Sequence, residues 1–132
     1  MGYSFEFDEA NNVLRVTWEG PLTDTPFIEE VAKARKFLAS RHGVRGIADY
    51  SGVTAENLSS EAIKRVAWAP TRGEERAVVV SVVSNDMAFG LARMFEMLTE
   101  QQRPKRPVVR TMEEAYQLLN ITDPQFVPIS VD

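Results

Sequence analysis

The segment from Ala77 to Val83, Ala-Val-Val-Val-Ser-Val-Val, is the part of this chain that most restricts its fold. A run so apolar and β-branched suits a strand covered on both faces, inside a partly parallel sheet. Parallel neighbours need crossover connections, usually helices, so the run asks for an α/β domain. The next residues agree. Ser84, Asn85 and Asp86 can all cap a helix, and Met87, Leu91, Met94, Phe95 and Leu98 then recur at helical spacing as its inward face.

The rest of the chain supplies the other elements. Tyr3, Phe5 and Phe7 alternate with polar residues, as do Leu14, Val16 and Trp18 after a turn at Glu9–Asn12. This is a hairpin with one wet face, ended by Gly20-Pro21. Thr25 before Pro26 is a helix start, and Phe27, Val31, Ala34 and Leu38 form its apolar stripe up to a stop at Gly43. A short strand over Val44–Asp49 runs into a loop at Tyr50-Ser51-Gly52. Ser59 then caps a second helix carrying Ala62, Val66 and Trp68, which Pro70 stops, with Leu58 and Ile63 as a hydrophobic staple. Pro107–Val109 is a short strand. Thr111 and Glu114 have capping-box spacing before a last helix with Ala115, Leu118 and Leu119 inward. The expectation is one α/β domain: a mixed sheet of about five strands with an antiparallel N-terminal hairpin, and four helices.

Composition excludes several function classes. The net charge is −4, which argues against general nucleic-acid binding. Without cysteine, disulfides, thiolate metal sites and a cysteine nucleophile are all absent. No apolar run is long enough for a transmembrane segment, and no basic-then-apolar start suggests a signal peptide, so a cytoplasmic location is expected.

Two stretches resemble the bacterial SpoIIAA-like (STAS) superfamily. One is the strand at Ala77 running into Asn85-Asp86-Met87-Ala88-Phe89-Gly90-Leu91-Ala92-Arg93-Met94-Phe95-Glu96; the other is Thr111-Met112-Glu113-Glu114-Ala115 into Leu118-Leu119. The likeness extends over about Tyr3 to Ile121, so residues 1–121 are expected to form the STAS-like domain and 122–132 an apolar C-terminal extension. It implies SpoIIAA-like topology and a non-catalytic regulatory module that binds a protein partner or itself. The antagonist branch of the family carries a phosphorylatable serine in an Asp-Ser-Ser-Gly-like helix start. Here Asp49-Tyr50-Ser51-Gly52 and Leu58-Ser59-Ser60-Glu61 both depart from that pattern, leaving Ser51, Ser59 and Ser60 as weak phospho-acceptor candidates. The same fold class includes SEC14-type lipid-binding domains, so a lipid or small apolar ligand beside the third helix is the alternative.

Residue by residue, catalytic signals are poor. His42 is the only histidine, beside Gly43 at a helix end, and no Gly-x-Ser-x-Gly elbow accompanies it. Glu29-Glu30, Glu74-Glu75 and Glu113-Glu114 are adjacent carboxylates that point different ways, which is not metal-ligand spacing. No enzyme, metal or cofactor is therefore expected. The candidate ligand or partner residues are Ser84, Asn85 and Asp86 at the strand-to-helix edge, with Gly90, Arg93 and Met94 on the helix. Gly90 is read first as close helix–sheet packing, and otherwise as space for a ligand near Arg93. Arg103, Lys105, Arg106 and Arg110 form a local basic loop. The tail residues Val127, Ile129 and Val131 alternate around Pro128, which predicts an extended segment on a sheet edge or in a groove, of this subunit or of a twin in a homodimer.

Overall fold

A computed structural model describes residues 2–67, 78–98 and 106–131. Its elements, in order, are β1 (Gly2–Asp8), β2 (Val13–Thr23), α1 (Asp24–Ser40), β3 (Arg45–Asn57), α2 (Ser60–Ala67), β4 (Val79–Val82), α3 (Asp86–Leu98), β5 (Val108–Val109), α4 (Met112–Leu119) and β6 (Val127–Ile129). The protein is an α/β domain built on a mixed sheet of order β5-β4-β3-β2-β1-β6. β1 pairs antiparallel with β2 and with β6, while β2, β3, β4 and β5 run parallel to one another. The apolar run does lie inside the sheet, with Val80 and Val82 buried, although Ala77 falls outside the described residues.

Strand alternation divides the core into two layers. Phe5, Phe7, Leu14, Val16, Trp18 and Ala48 face one side, where Phe27 and Leu38 of α1 and Val66 of α2 pack on them. Val13, Ile47, Val80 and Val82 face the other, under Ala115 and Leu119 of α4. Helices therefore cover both sides of the parallel strands.

Four boundaries differ from the sequence reading. β2 does not end at Gly20-Pro21. Beyond Glu19 it has lost its β1 partner and pairs only with β3, so Pro21 sits on an edge where its missing N–H costs no ladder bond. β3 likewise runs through Tyr50-Ser51-Gly52 instead of looping there. Register shifts against β2, between Thr17 and Glu19 and between Gly20 and Pro21, absorb one extra β3 residue each. A Cβ on Gly52 would stand 2.6 Å from the Trp18 carbonyl oxygen, so only glycine fits this bulge. α1 starts after Thr23 rather than Thr25, leaving Pro26 still in the first turn, where an N–H has no helical acceptor. Finally, the expected five-stranded sheet has a sixth strand, the tail.

Several local expectations hold. Thr111 and Glu114 form both halves of a capping box, and Asn120 closes α4 in the left-handed conformation. Ser59 caps α2, its Oγ accepting the Ala62 N–H at 3.0 Å. Trp68 and Pro70 lie outside the described residues.

The tail is an edge strand of its own subunit, with Phe5, Glu6 and Phe7 opposite Ile129, Pro128 and Val127. Two clasps hold it. The Asp8 carboxylate, buried in the hairpin turn, accepts the backbone N–H groups of Asn11 and Gln125 at 3.1 and 3.0 Å. On the same face of the sheet Arg15 donates two hydrogen bonds to the Glu6 carboxylate at 3.0 and 2.9 Å, donates to the Tyr116 hydroxyl, and lies 4.0 Å above the Phe126 ring. That guanidinium holds the Glu6 carboxyl below its ordinary pKa. Truncation after Thr122 removes Phe126 and all of β6, and should cost on the order of 2 kcal/mol. The midpoint of a urea melt measures it; an unchanged midpoint would show the strand to be a passenger.

Candidate functional site

On the inward face of α1, between Phe27 and Ala34, stands a carboxylate. Glu30 is 2% exposed, as buried as the leucine of the same stripe. Its Oε1 accepts the indole N–H of Trp18 at 2.9 Å, and Trp18 is itself fully buried. A buried indole needs an acceptor and a buried carboxylate needs a donor, so each satisfies the other. Glu29, one residue away, points to the surface, where it accepts from the Tyr3 hydroxyl and pairs with Lys33.

This carboxylate forms part of the wall of a cavity of about 100 Å³ between α1 and the sheet. The lining is mainly apolar: Phe27 and Val31 of α1, Val16 of β2, Val53 of β3, Ile63 of α2 and Ala92 of α3. Among these stand the polar groups Glu30, Arg35, Tyr50, Glu56 and Arg106. Glu56 is turned to its own loop, its Oε1 accepting the Leu58 N–H at 2.6 Å.

Burial dominates the electrostatics. Removal from water pushes the Glu30 carboxyl up to about 7, against the lowering effects of the Trp18 hydrogen bond and of the Arg106 and Arg35 charges. Near neutral pH this acid thus exists in both forms, as a hydrogen-bond acceptor or a donor. Burial, followed by the nearby Glu30 charge, pushes the Tyr50 phenol far above its ordinary range, so it remains a neutral donor.

The residues singled out in the sequence lie elsewhere and do not converge. Asp86 accepts from Arg110 Nη1 at 2.9 Å, Arg110 lies over the Phe89 ring, and the Ser84 carbonyl is 3.4 Å from the same guanidinium. Asn85 provides the carbonyl for the first α3 hydrogen bond, to Phe89 N. Arg93 pairs with Glu96 at 3.6 Å. Met94 is exposed rather than inward, at 42%, because its position on α3 turns it away from the sheet. The side chains of Met87, Leu91, Phe95 and Leu98 lie outside the described residues. Leu118, expected inward on α4, is exposed as well.

Gly90 corrects another expectation. It is exposed, and nothing stands within 4 Å of where its Cβ would be, so close packing is not its reason. The expected basic loop is also dispersed: Arg106 lines the cavity, Arg110 braces α3, and Arg103 and Lys105 lie outside the described residues. Ser51 donates to Asp49 at 2.6 Å and Ser59 to Asp24 at 2.7 Å, while Ser60 is exposed at the start of α2.

Glu30 was legible only in retrospect. It falls three residues after Phe27 and four before Ala34, on the very stripe read as apolar, and Trp18 opposite required an acceptor. Among the described residues no group of three or more His, Asp or Glu could hold a metal ion, and no helix is long and apolar enough to cross a membrane. No protein-family model and no curated protein matches the chain.

Two outcomes follow from these positions. The folded-state pKa of Glu30 is raised, so the protonated acid is the form that folding favours. Its effect on stability is absent below about pH 4 and becomes a growing penalty as pH rises through 7, on the order of 3 kcal/mol when complete. Glu30→Gln keeps an acceptor for Trp18 and removes the charge. It should match the parent at pH 4 and melt at higher denaturant at pH 9; parallel curves at both pH values would contradict the assignment. Separately, Gly90→Ala should stabilise the protein by about 1 kcal/mol, since the helix gains propensity and nothing is displaced. A lowered melting temperature would refute that.

Proposed function

We propose that this protein is a non-catalytic binding domain whose cavity between α1 and the sheet takes a small, mainly apolar molecule. The observation that carries this reading is Glu30. A carboxylate placed at a core position of α1 is costly when a leucine would pack there, and the cost buys polar recognition inside an apolar space. Arg35, Arg106 and the Tyr50 hydroxyl extend the same polar wall. Size bounds the occupant: at about 100 Å³ the cavity is smaller than the roughly 150 Å³ of a dry cavity that admits benzene. It therefore takes up only part of a single ring or short chain, whose remainder reaches toward solvent.

A second reading, that of a STAS-like module engaging a protein partner or a second copy of itself, draws on α3. Gly90, Met94 and Met97 recur there at helical spacing on an exposed face, with Met97 67% exposed. The two readings predict different chemical-shift footprints.

The test follows the indole N–H of Trp18, which reports on the Glu30 carboxylate directly. In ¹H–¹⁵N spectra, titration with benzene and with 1-hexanol should move that cross-peak saturably, and Ala34→Met, which fills the cavity from α1, should abolish the shift. If neither probe moves the Trp18 signal, the cavity is not a binding site.

A further inference from the structure

The polar groups of the cavity wall discriminate among possible occupants, and this step rests on the cavity being the binding site. Among the described residues its ionisable groups are Glu30 and Arg35 from α1, Tyr50 and Glu56 from β3, and Arg106 from the segment before β5. β4 contributes Ser81 and α3 contributes Ala92, neither of which titrates. Three of these ionisable groups are committed. Glu56 accepts the Leu58 N–H, and Arg35 and Arg106 have interactions of their own, although their charges still reach Glu30. The other two keep bonding capacity. Trp18 engages one oxygen of Glu30, Oε1, and among the described residues nothing is bonded to Oε2. Among the same residues the Tyr50 hydroxyl has no hydrogen-bond partner, though it lies near enough to Glu30 to feel its charge.

We infer that the occupant carries one neutral hydroxyl, that of an alcohol in the simplest case, which bonds both Glu30 Oε2 and the Tyr50 oxygen while its apolar part lies against Phe27, Ala48 and Val53. A buried polar atom without a partner is costly, and here two belong to one apolar wall. A hydroxyl donates and accepts, so it satisfies both at once. It donates to ionised Glu30 and accepts from Tyr50. When Glu30 holds a proton the directions reverse: the acid donates to the ligand oxygen, and the ligand donates to the phenol oxygen. Groups of one kind do less. An ether only accepts, which leaves ionised Glu30 unpaired. An ammonium only donates, and adds its charge to those of two guanidiniums. A carboxylate only accepts, adds its charge to that of Glu30, and finds neither guanidinium free to receive it.

The experiment compares four six-carbon probes, 1-hexanol, its isomer 1-methoxypentane, hexylamine and hexanoate, by the Trp18 indole shift at pH 8.5, where Glu30 is ionised. Hexanol should bind about tenfold more tightly than the ether, the worth of one hydrogen bond to a charged acceptor, and more tightly than either ion. At pH 5.5 the protonated acid donates to the ether oxygen, and that advantage should shrink to about threefold or less. Tyr50→Phe should weaken hexanol about fivefold, the worth of one neutral bond, and leave benzene unchanged. Glu30→Gln keeps an acceptor for Trp18 and turns an amide N–H toward the ligand. It should bring hexanol down to the affinity of the ether at pH 8.5, and it covers the case in which Tyr50→Phe does not fold. The ether or an ion binding as tightly as hexanol at pH 8.5, with the Trp18 signal still moving, overturns the hydroxyl assignment and leaves the cavity as a binding site. If neither benzene nor any of the four moves it, the cavity reading falls, and this inference falls with it.

Discussion

One hydrogen bond organises the α1 side of this molecule, the 2.9 Å contact from the Trp18 indole to the Glu30 carboxylate. It joins the middle of β2 to the middle of α1 across the core, where water cannot substitute for either partner. Removing one member would leave a buried polar group unpaired, which costs far more than the net worth of the bond. The pair therefore fixes how α1 sits on the sheet and where the cavity wall becomes polar. The bulge beside it follows from the same packing. β3 gains an extra residue against Trp18, Gly52 lets the backbones approach, and Tyr50 is carried into the cavity lining.

The opposite face of the sheet is organised differently. There Arg15 collects Glu6, Tyr116 and Phe126 into one cluster, joining β1, β2, α4 and the tail with a single permanently charged side chain. Its ion pair is partly exposed and so contributes modestly as a charge interaction. Its larger effect is geometric, because the guanidinium plane sets the Phe126 ring, which stacks on Tyr116. One face thus has a closed polar clasp, and the other has a polar group at the edge of a space. That asymmetry is why the proposed binding site lies on the α1 side.

The apolar periods made most elements legible before any coordinates. The β-branched run, the hairpin alternation and the Thr111–Glu114 capping box are local patterns, and each appears where it was read. Errors came where a local signal was overridden by a neighbour. Gly20-Pro21 and Tyr50-Ser51-Gly52 are turn-like in isolation, yet they lie in strands because one occupies an edge and the other a bulge. Met94 and Leu118 have the residue type of a core position and the angular position of a surface one. Gly90 was read as a packing contact because a helical glycine has a cost, but no neighbour stands there.

By itself the sequence determined the class of fold: the order of strands and helices, the parallel centre, the caps of α2 and α4, and an edge-bound tail. These depend on hydrophobic period and on backbone groups a few residues apart, and such distances are written along the chain. Only the tertiary structure decided the site. Trp18, Glu30, Tyr50 and Arg106 come from four separate segments, and nothing in their spacing announces that they meet. A glutamate beside another glutamate looks like a solvated face until the helix is rotated onto the sheet. Burial then removes its water, raises its affinity for a proton, and makes a surface-type residue the chemically distinctive group of the interior.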